Sequence, residues 1–145
     1  MGGPDNLLSG WREPQEVTPE LRKSMLKVYT YAKCSTCRKA VRFLTEHKIP
    51  FTELPIRETP PSLDELKHAL TRKDGNVRAL FNTSGLDYKA LGLSAKLPAM
   101  SETDALNLLA NNGNLVKRPF VVGKDVSLVG FDEEAWKKTF SHKLD

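Results

Sequence analysis

The stretch Lys27-Val28-Tyr29-Thr30-Tyr31-Ala32-Lys33-Cys34-Ser35-Thr36-Cys37-Arg38 decides the fold of this chain. Its first five residues read as an apolar strand, and a helical pattern begins at Arg38 and runs to residue 47. Ala40, Val41, Phe43 and Leu44 give that helix an apolar face. Cys34 and Cys37, the two cysteines of the chain, fall at the junction. At a helix start, unpaired backbone N–H groups and the positive end of the dipole stabilise a thiolate on the first cysteine. The second lies one turn on, where its sulfur can attack a mixed disulfide formed at the first. A strand that hands two thiols, three residues apart, to a helix N-terminus is the layout of a redox site.

Two plainer readings stand beside it. The pair is also half of a zinc site, but a closed site needs four ligands, and His47, His68 and His142 are scattered without metal-ligand spacing. Buried cysteines also serve as small apolar side chains with no chemistry.

The bulk properties bound the choice. A chain of 145 residues fits one domain with a real core, and 39% hydrophobic with 28% charged residues describes an ordinary soluble protein. The net charge is +4. No lysine and arginine block of the kind that follows a phosphate backbone occurs, so direct nucleic-acid binding is not expected. Residues 1–24 carry Arg12, Arg22 and Lys23 against Asp5, Glu13, Glu16 and Glu20, so the positive charge belongs to the remainder. That remainder suits anions or acidic thiol partners. No apolar run approaches a membrane span, and the first residues lack the pattern of a secretory signal. The expected home is the cytoplasm, where a close cysteine pair is more often catalytic or sensing than a structural staple.

Residues 1–24 read as an N-terminal extension, rich in proline and glycine, with a helix start at Thr18-Pro19-Glu20 and one large apolar anchor, Trp11. Residues 25–145 form the domain. A second strand is expected over 51–56, its end weakened by Pro55, which makes a right-handed βαβ unit with parallel strands. Residues 62–111 form a helical insertion. Ser62 caps a helix over 63–72 with Glu65 in the capping-box position, short helical pieces follow at 77–81 and 88–91, and Ser101 caps a helix through Asn111. Asn112-Gly113 is expected to stop that helix in a left-handed conformation. Strands over 120–122 and 126–129, joined by Gly123-Lys124-Asp125, form a hairpin, and a last helix over 132–140 places Trp136 and Phe140 on one face. The order βαβ, helical insertion, ββα predicts an α/β, thioredoxin-like fold with a four-stranded mixed sheet.

Among residues able to carry chemistry, Cys34 is the better nucleophile because it sits nearer the cap, and helix N-termini and cations lower a thiol pKa. Arg38, four residues on, either returns toward that thiolate or is a solvated helix residue. Arg78, inside an apolar pattern, reads from spacing alone as solvent-facing or paired with an acid. Lys117 and Arg118, taken without a fold, are exposed charges, and Ser84-Gly85 and Gly130 are turn residues.

Several motifs together resemble the arsenate reductase/Spx family over residues 27–140. They are Tyr31-x-x-Cys34-x-x-Cys37-Arg38, Glu58-Thr59-Pro60-Pro61 with Leu63-x-Glu65-Leu66, and Val77-Arg78-Ala79-Leu80. Leu91-Gly92-Leu93, Lys117-Arg118-Pro119-Phe120-Val121-Val122 and Val129-Gly130-Phe131 complete the set. The resemblance implies a cis bond between Arg118 and Pro119 facing the thiol pair, with Arg118 beside Cys34 as an anion donor. In the single-cysteine arsenate reductases three arginines hold the oxyanion. Cys34 matches their cysteine, Arg78 and Arg118 match two arginines, the third falls near Gly130, and Cys37 stands where they carry serine. Lys117 and Lys124 are the hairpin cations able to replace the missing charge. This pattern resembles the two-cysteine branch, which includes Spx-type regulators that bind the RNA polymerase α subunit.

The expected function is therefore a cytosolic thiol–disulfide oxidoreductase related to arsenate reductase. Cys34 attacks, Cys37 resolves, and Arg118 assists; Arg38, Arg78 and Pro119 line the anion site. It is expected to act as a monomer without a bound cofactor or metal. Glutathione, glutaredoxin or thioredoxin serves as reductant, and small thiols or a thiol-redox protein are its partners. The rivals are a redox-sensing Spx-type regulator docking on RNA polymerase α and a genuine arsenate reductase.

Overall fold

A computed structural model of the chain describes residues 25–141. The expected extension over 1–24, with its helix start and Trp11, lies outside the described residues. Four strands, β1 (Leu26–Thr30), β2 (Phe51–Pro55), β3 (Phe120–Val122) and β4 (Ser127–Val129), form one mixed sheet in the order β2-β1-β3-β4. β1 and β2 are parallel, with Thr30 opposite Pro55. β3 runs antiparallel to both β1 and β4. This is the predicted thioredoxin-like α/β arrangement, and Pro55 closes an edge strand, where its missing N–H costs no ladder bond.

Alternation along β1 sends its side chains to two cores. Leu26 and Val28 join Val121 beneath α1 (Ser35–Glu46) and α6 (Glu133–Thr139), whose Phe43, Leu44, Trp136 and Phe140 fill that face. Tyr29 and Phe120 face the other way, onto α2 (Leu63–Arg72) and α5 (Glu102–Asn111), through Leu66, Leu70, Leu106 and Leu109. Between those two helices lie a 3₁₀ turn at Val77–Leu80, α3 (Leu86–Ala90), α4 (Leu93–Lys96) and a second 3₁₀ turn at Leu97–Ala99. The last two have no counterpart in the sequence pattern. Among the described residues no helix is long and apolar enough to cross a membrane.

Local chemistry explains the boundaries. Ser62 and Glu65 form the full capping box at α2, and Ser101 and Asp132 cap α5 and α6. α1 begins at Ser35, three residues earlier than its apolar pattern, because Cys34 itself is the N-cap. The end of α5 corrects the sequence reading. Asn112 is extended at φ −148°, and Gly113 starts a 3₁₀ turn without adopting a left-handed conformation. Its glycine is required by space: a Cβ there would overlap the Ile56 carbonyl at the end of β2.

That close approach positions the site. The chain from Gly113 passes the end of β2, then meets the insertion through a Phe81–Val116 bridge. The Lys117 N–H donates to the Leu80 carbonyl at 2.9 Å, and the Asn82 N–H donates to Leu115 at 2.7 Å. Arg118 is thereby delivered to the end of the sheet where β1 and β2 terminate.

Candidate active site at the Cys34–Cys37 turn

Cys34 is extended (φ −97°, ψ 115°), and its sulfur accepts the Cys37 backbone N–H at 3.3 Å. The Cys34 N–H donates to the Tyr31 carbonyl at 3.0 Å, which closes the turn between β1 and α1. Both cysteines are free thiols. Cys34 is part-exposed and Cys37 is 2% exposed.

The two sulfurs have opposite electrostatics. Partial burial works to raise the Cys34 pKa, but hydrogen bonds from the Cys37 thiol and backbone, with the charge and hydrogen bond of Arg118, bring it below that of an ordinary thiol. Burial pushes Cys37 up to about 12; a backbone interaction with Tyr31 and the charge of Arg118 oppose this, while the hydrogen bond and charge of Cys34 add to it. These environments favour the thiolate form at Cys34 and the protonated form at Cys37.

The Arg118–Pro119 bond is cis. Pro119 is buried, and its carbonyl accepts the Gly130 N–H at 2.8 Å. The Arg118 guanidinium lies near enough to lower the Cys34 pKa and stacks on Tyr31, its central carbon 5.1 Å from the ring centroid. Gly130, at φ +79°, leaves a space that Lys117 fills: a Cβ there would meet the Lys117 Cε at 3.1 Å and Nζ at 3.8 Å. The position matched to the third arginine is thus covered by a lysine from the neighbouring segment.

The Arg38 backbone N–H donates to the Cys34 carbonyl at 3.2 Å. Arg38 lines a cleft of about 530 Å³ with Cys37, Thr30, Arg42 and Glu53. Arg78 lines two clefts of the helical insertion with Tyr88 and Ser94, and neither cysteine nor Arg118 is among their lining residues. Among the described residues no group of three or more His, Cys, Asp or Glu side chains is placed to hold a metal ion.

The sequence reading passes over Arg57. Its guanidinium also stands 5.1 Å from the Tyr31 centroid, and Nη1 donates to the Tyr31 hydroxyl at 3.1 Å. A signal for it exists: β1 and β2 are parallel, so the residues that follow them, Tyr31 and Arg57, meet at their shared carboxyl end, where α/β sheets gather ligands.

The ArsC family model matches residues 29–139 of the chain. The uncharacterized protein YusI of Bacillus subtilis is 44% identical over 117 residues, spanning 80% of this chain and 98% of its own length. The global transcriptional regulator Spx 1 of Oceanobacillus iheyensis is 32% identical over 110 residues, 76% of this chain and 82% of its own. Two solved structures are similar throughout the described fold. A protein described as ArsC family related, from Bacteroides fragilis, has a TM-score of 0.74 at 44% identity, covering 80% of this chain and 98% of its own. A possible arsenate reductase from Streptococcus mutans has a TM-score of 0.71 at 36% identity, covering 79% and 98%.

Proposed function

The chain belongs to the ArsC family, and from that premise we propose that it is a cytoplasmic thiol–disulfide oxidoreductase using Cys34 as nucleophile and Cys37 as resolving thiol. The observation that carries this reading is the Cys37 N–H aimed at the Cys34 sulfur at 3.3 Å, with Arg118 as its cationic partner. Together they favour a thiolate at Cys34 and a protonated thiol at Cys37.

In the first step the Cys34 thiolate attacks one sulfur of a substrate disulfide. The substrate S–S bond breaks, a mixed disulfide forms at Cys34, and the departing thiolate takes a proton. Cys34 then no longer carries charge or accepts the Cys37 proton, so two of the influences that raised the Cys37 pKa vanish. Cys37 loses its proton to water and attacks the Cys34 sulfur. The Cys34–Cys37 disulfide forms and the second thiol leaves. Two electrons pass from the pair to the substrate, and a small thiol or a dithiol protein such as glutaredoxin or thioredoxin returns them. No bound cofactor is needed for this cycle.

A turnover assay with disulfide and arsenate substrates, each with glutaredoxin or thioredoxin as reductant, tests the proposal. Disulfide reduction dependent on both cysteines supports it; turnover that survives Cys34→Ser contradicts it.

A second reading draws on the Spx relatives. The same dithiol would serve as a switch that alters a surface docking on RNA polymerase α. Redox-dependent binding of this chain to the carboxy-terminal domain of polymerase α, without turnover, favours that reading over the enzyme. Arg78, which lines two clefts of the helical insertion, is the site residue that favours a docking role.

A further inference from the structure

We propose that Arg57, Tyr31 and Arg118 form a recognition site for a carboxylate carried by a small disulfide substrate whose reacting sulfur sits at Cys34. The proposal deepens the dithiol reading and rests on it.

Three separate segments build the site. Tyr31 follows β1, Arg57 follows β2, and Arg118 precedes β3. Both guanidinium carbons lie 5.1 Å from the same ring centroid, so they are separated by no more than twice that distance. Arg57 is further fixed by its bond to the Tyr31 hydroxyl. The electron-rich ring face holds each cation in place, yet it cannot neutralise two positive charges. Among the described residues neither guanidinium takes a carboxylate within 4 Å, unlike Lys27 with Glu65 and Lys137 with Glu133. Two planar, fork-shaped donors gathered on one tyrosine without an acidic partner are suited to a carboxylate from outside.

Arg118 acts electrostatically on the Cys34 sulfur, and Arg57 is bonded to the Tyr31 hydroxyl on the same ring. A disulfide with carboxylates several bonds from its sulfurs brings an anion to this pair of cations while its sulfur meets Cys34. Its attack follows the exchange already described, with Cys34–S bond formation, release of one carboxylate-bearing thiol, and closure of the Cys34–Cys37 disulfide. The thiol reductant then restores the pair.

The test compares glutathione disulfide (anionic), bis(2-hydroxyethyl) disulfide (neutral) and cystamine (cationic) in wild type, Arg57→Gln and Lys67→Gln. Lys67 is exposed on α2, so its substitution removes one positive charge from elsewhere on the surface. Wild type should prefer the anionic disulfide. Arg57→Gln should reduce that preference about tenfold, mainly through KM, as expected from losing one charge-assisted hydrogen bond. The rate ratio of iodoacetate to iodoacetamide at Cys34 should fall in the same variant, and Lys67→Gln should leave both preferences in place. Turnover without a charge preference, or a preference equal in wild type and Arg57→Gln, overturns the recognition site and leaves the dithiol reading standing. Absence of turnover with all three disulfides overturns the dithiol reading and this substrate class with it.

Discussion

Gly113 packs on the carbonyl of Ile56 with no room for a side chain, and that one approach links the insertion to the active site. It holds the segment leading to Arg118 against the end of β2, where Arg57 begins. Gly113→Ala should therefore destabilise the fold by about 1–3 kcal/mol or more, the range for an overpacked interior. Urea denaturation would read this. The same variant should slow alkylation of Cys34, because Arg118 is displaced from the sulfur.

Cys34 should alkylate as a thiolate at lower pH than an ordinary thiol, and Cys37 should stay unreactive through pH 9. The signs follow from the environments: hydrogen bonds from Cys37 and the Arg118 charge outweigh burial at Cys34, while burial dominates at Cys37 and carries it to about 12. Arg118→Ala should move the Cys34 profile toward higher pH. Iodoacetamide labelling followed by peptide mapping across pH 5–9 measures both. Equal labelling of the two cysteines, unmoved by the arginine change, would contradict the electrostatic account.

Glu65 should make stability depend on pH. Its carboxyl is part-buried, which favours the protonated form. Bonds from the Tyr29 hydroxyl at 2.7 Å and the Ser62 N–H at 3.0 Å, with Lys27 at 3.0 Å, more than offset this and hold its pKa below the ordinary carboxylate value. A lowered folded-state pKa contributes stability that is complete above the unfolded pKa and lost as pH falls through the folded one. Glu65→Gln should cost about 1–2 kcal/mol at pH 7. The gap from wild type should close on acidification below about pH 4, near the unfolded glutamate value. Thermal denaturation at pH 3 and pH 7 compares them.

Arsenate should be a poorer substrate than a disulfide. A missing charge-assisted hydrogen bond at Gly130 weakens oxyanion binding about 10- to 150-fold. Lys117, packed into the space Gly130 leaves, is the cation placed to compensate. Robust arsenate reduction abolished by Lys117→Ala would show a relocated charge, and robust reduction indifferent to it would mean that arginine count does not govern the reaction.

Much of this is legible in the chain because it depends on local chemistry. The strand-to-helix junction at Cys34, the Ser62–Glu65 capping box and the Gly123-Lys124-Asp125 hairpin are set by residues close in sequence. The stacking of Arg57 and Arg118 on Tyr31 is not, since it joins three segments whose only common property is the sheet end they reach. Gly113 reads as a left-handed stop because the reason for its glycine is a carbonyl more than fifty residues earlier.

The most direct measurement of the central claim is intact-mass spectrometry after rapid acid quench of a single turnover with a small disulfide. Wild type should pass to a species two protons lighter than the reduced protein, the Cys34–Cys37 disulfide. Cys37→Ser should stop as a mixed disulfide at Cys34, and Cys34→Ser should form no adduct on the same timescale. A wild-type protein that accumulates the same stable mixed disulfide as Cys37→Ser would contradict the account, because Cys37 would then not resolve the intermediate.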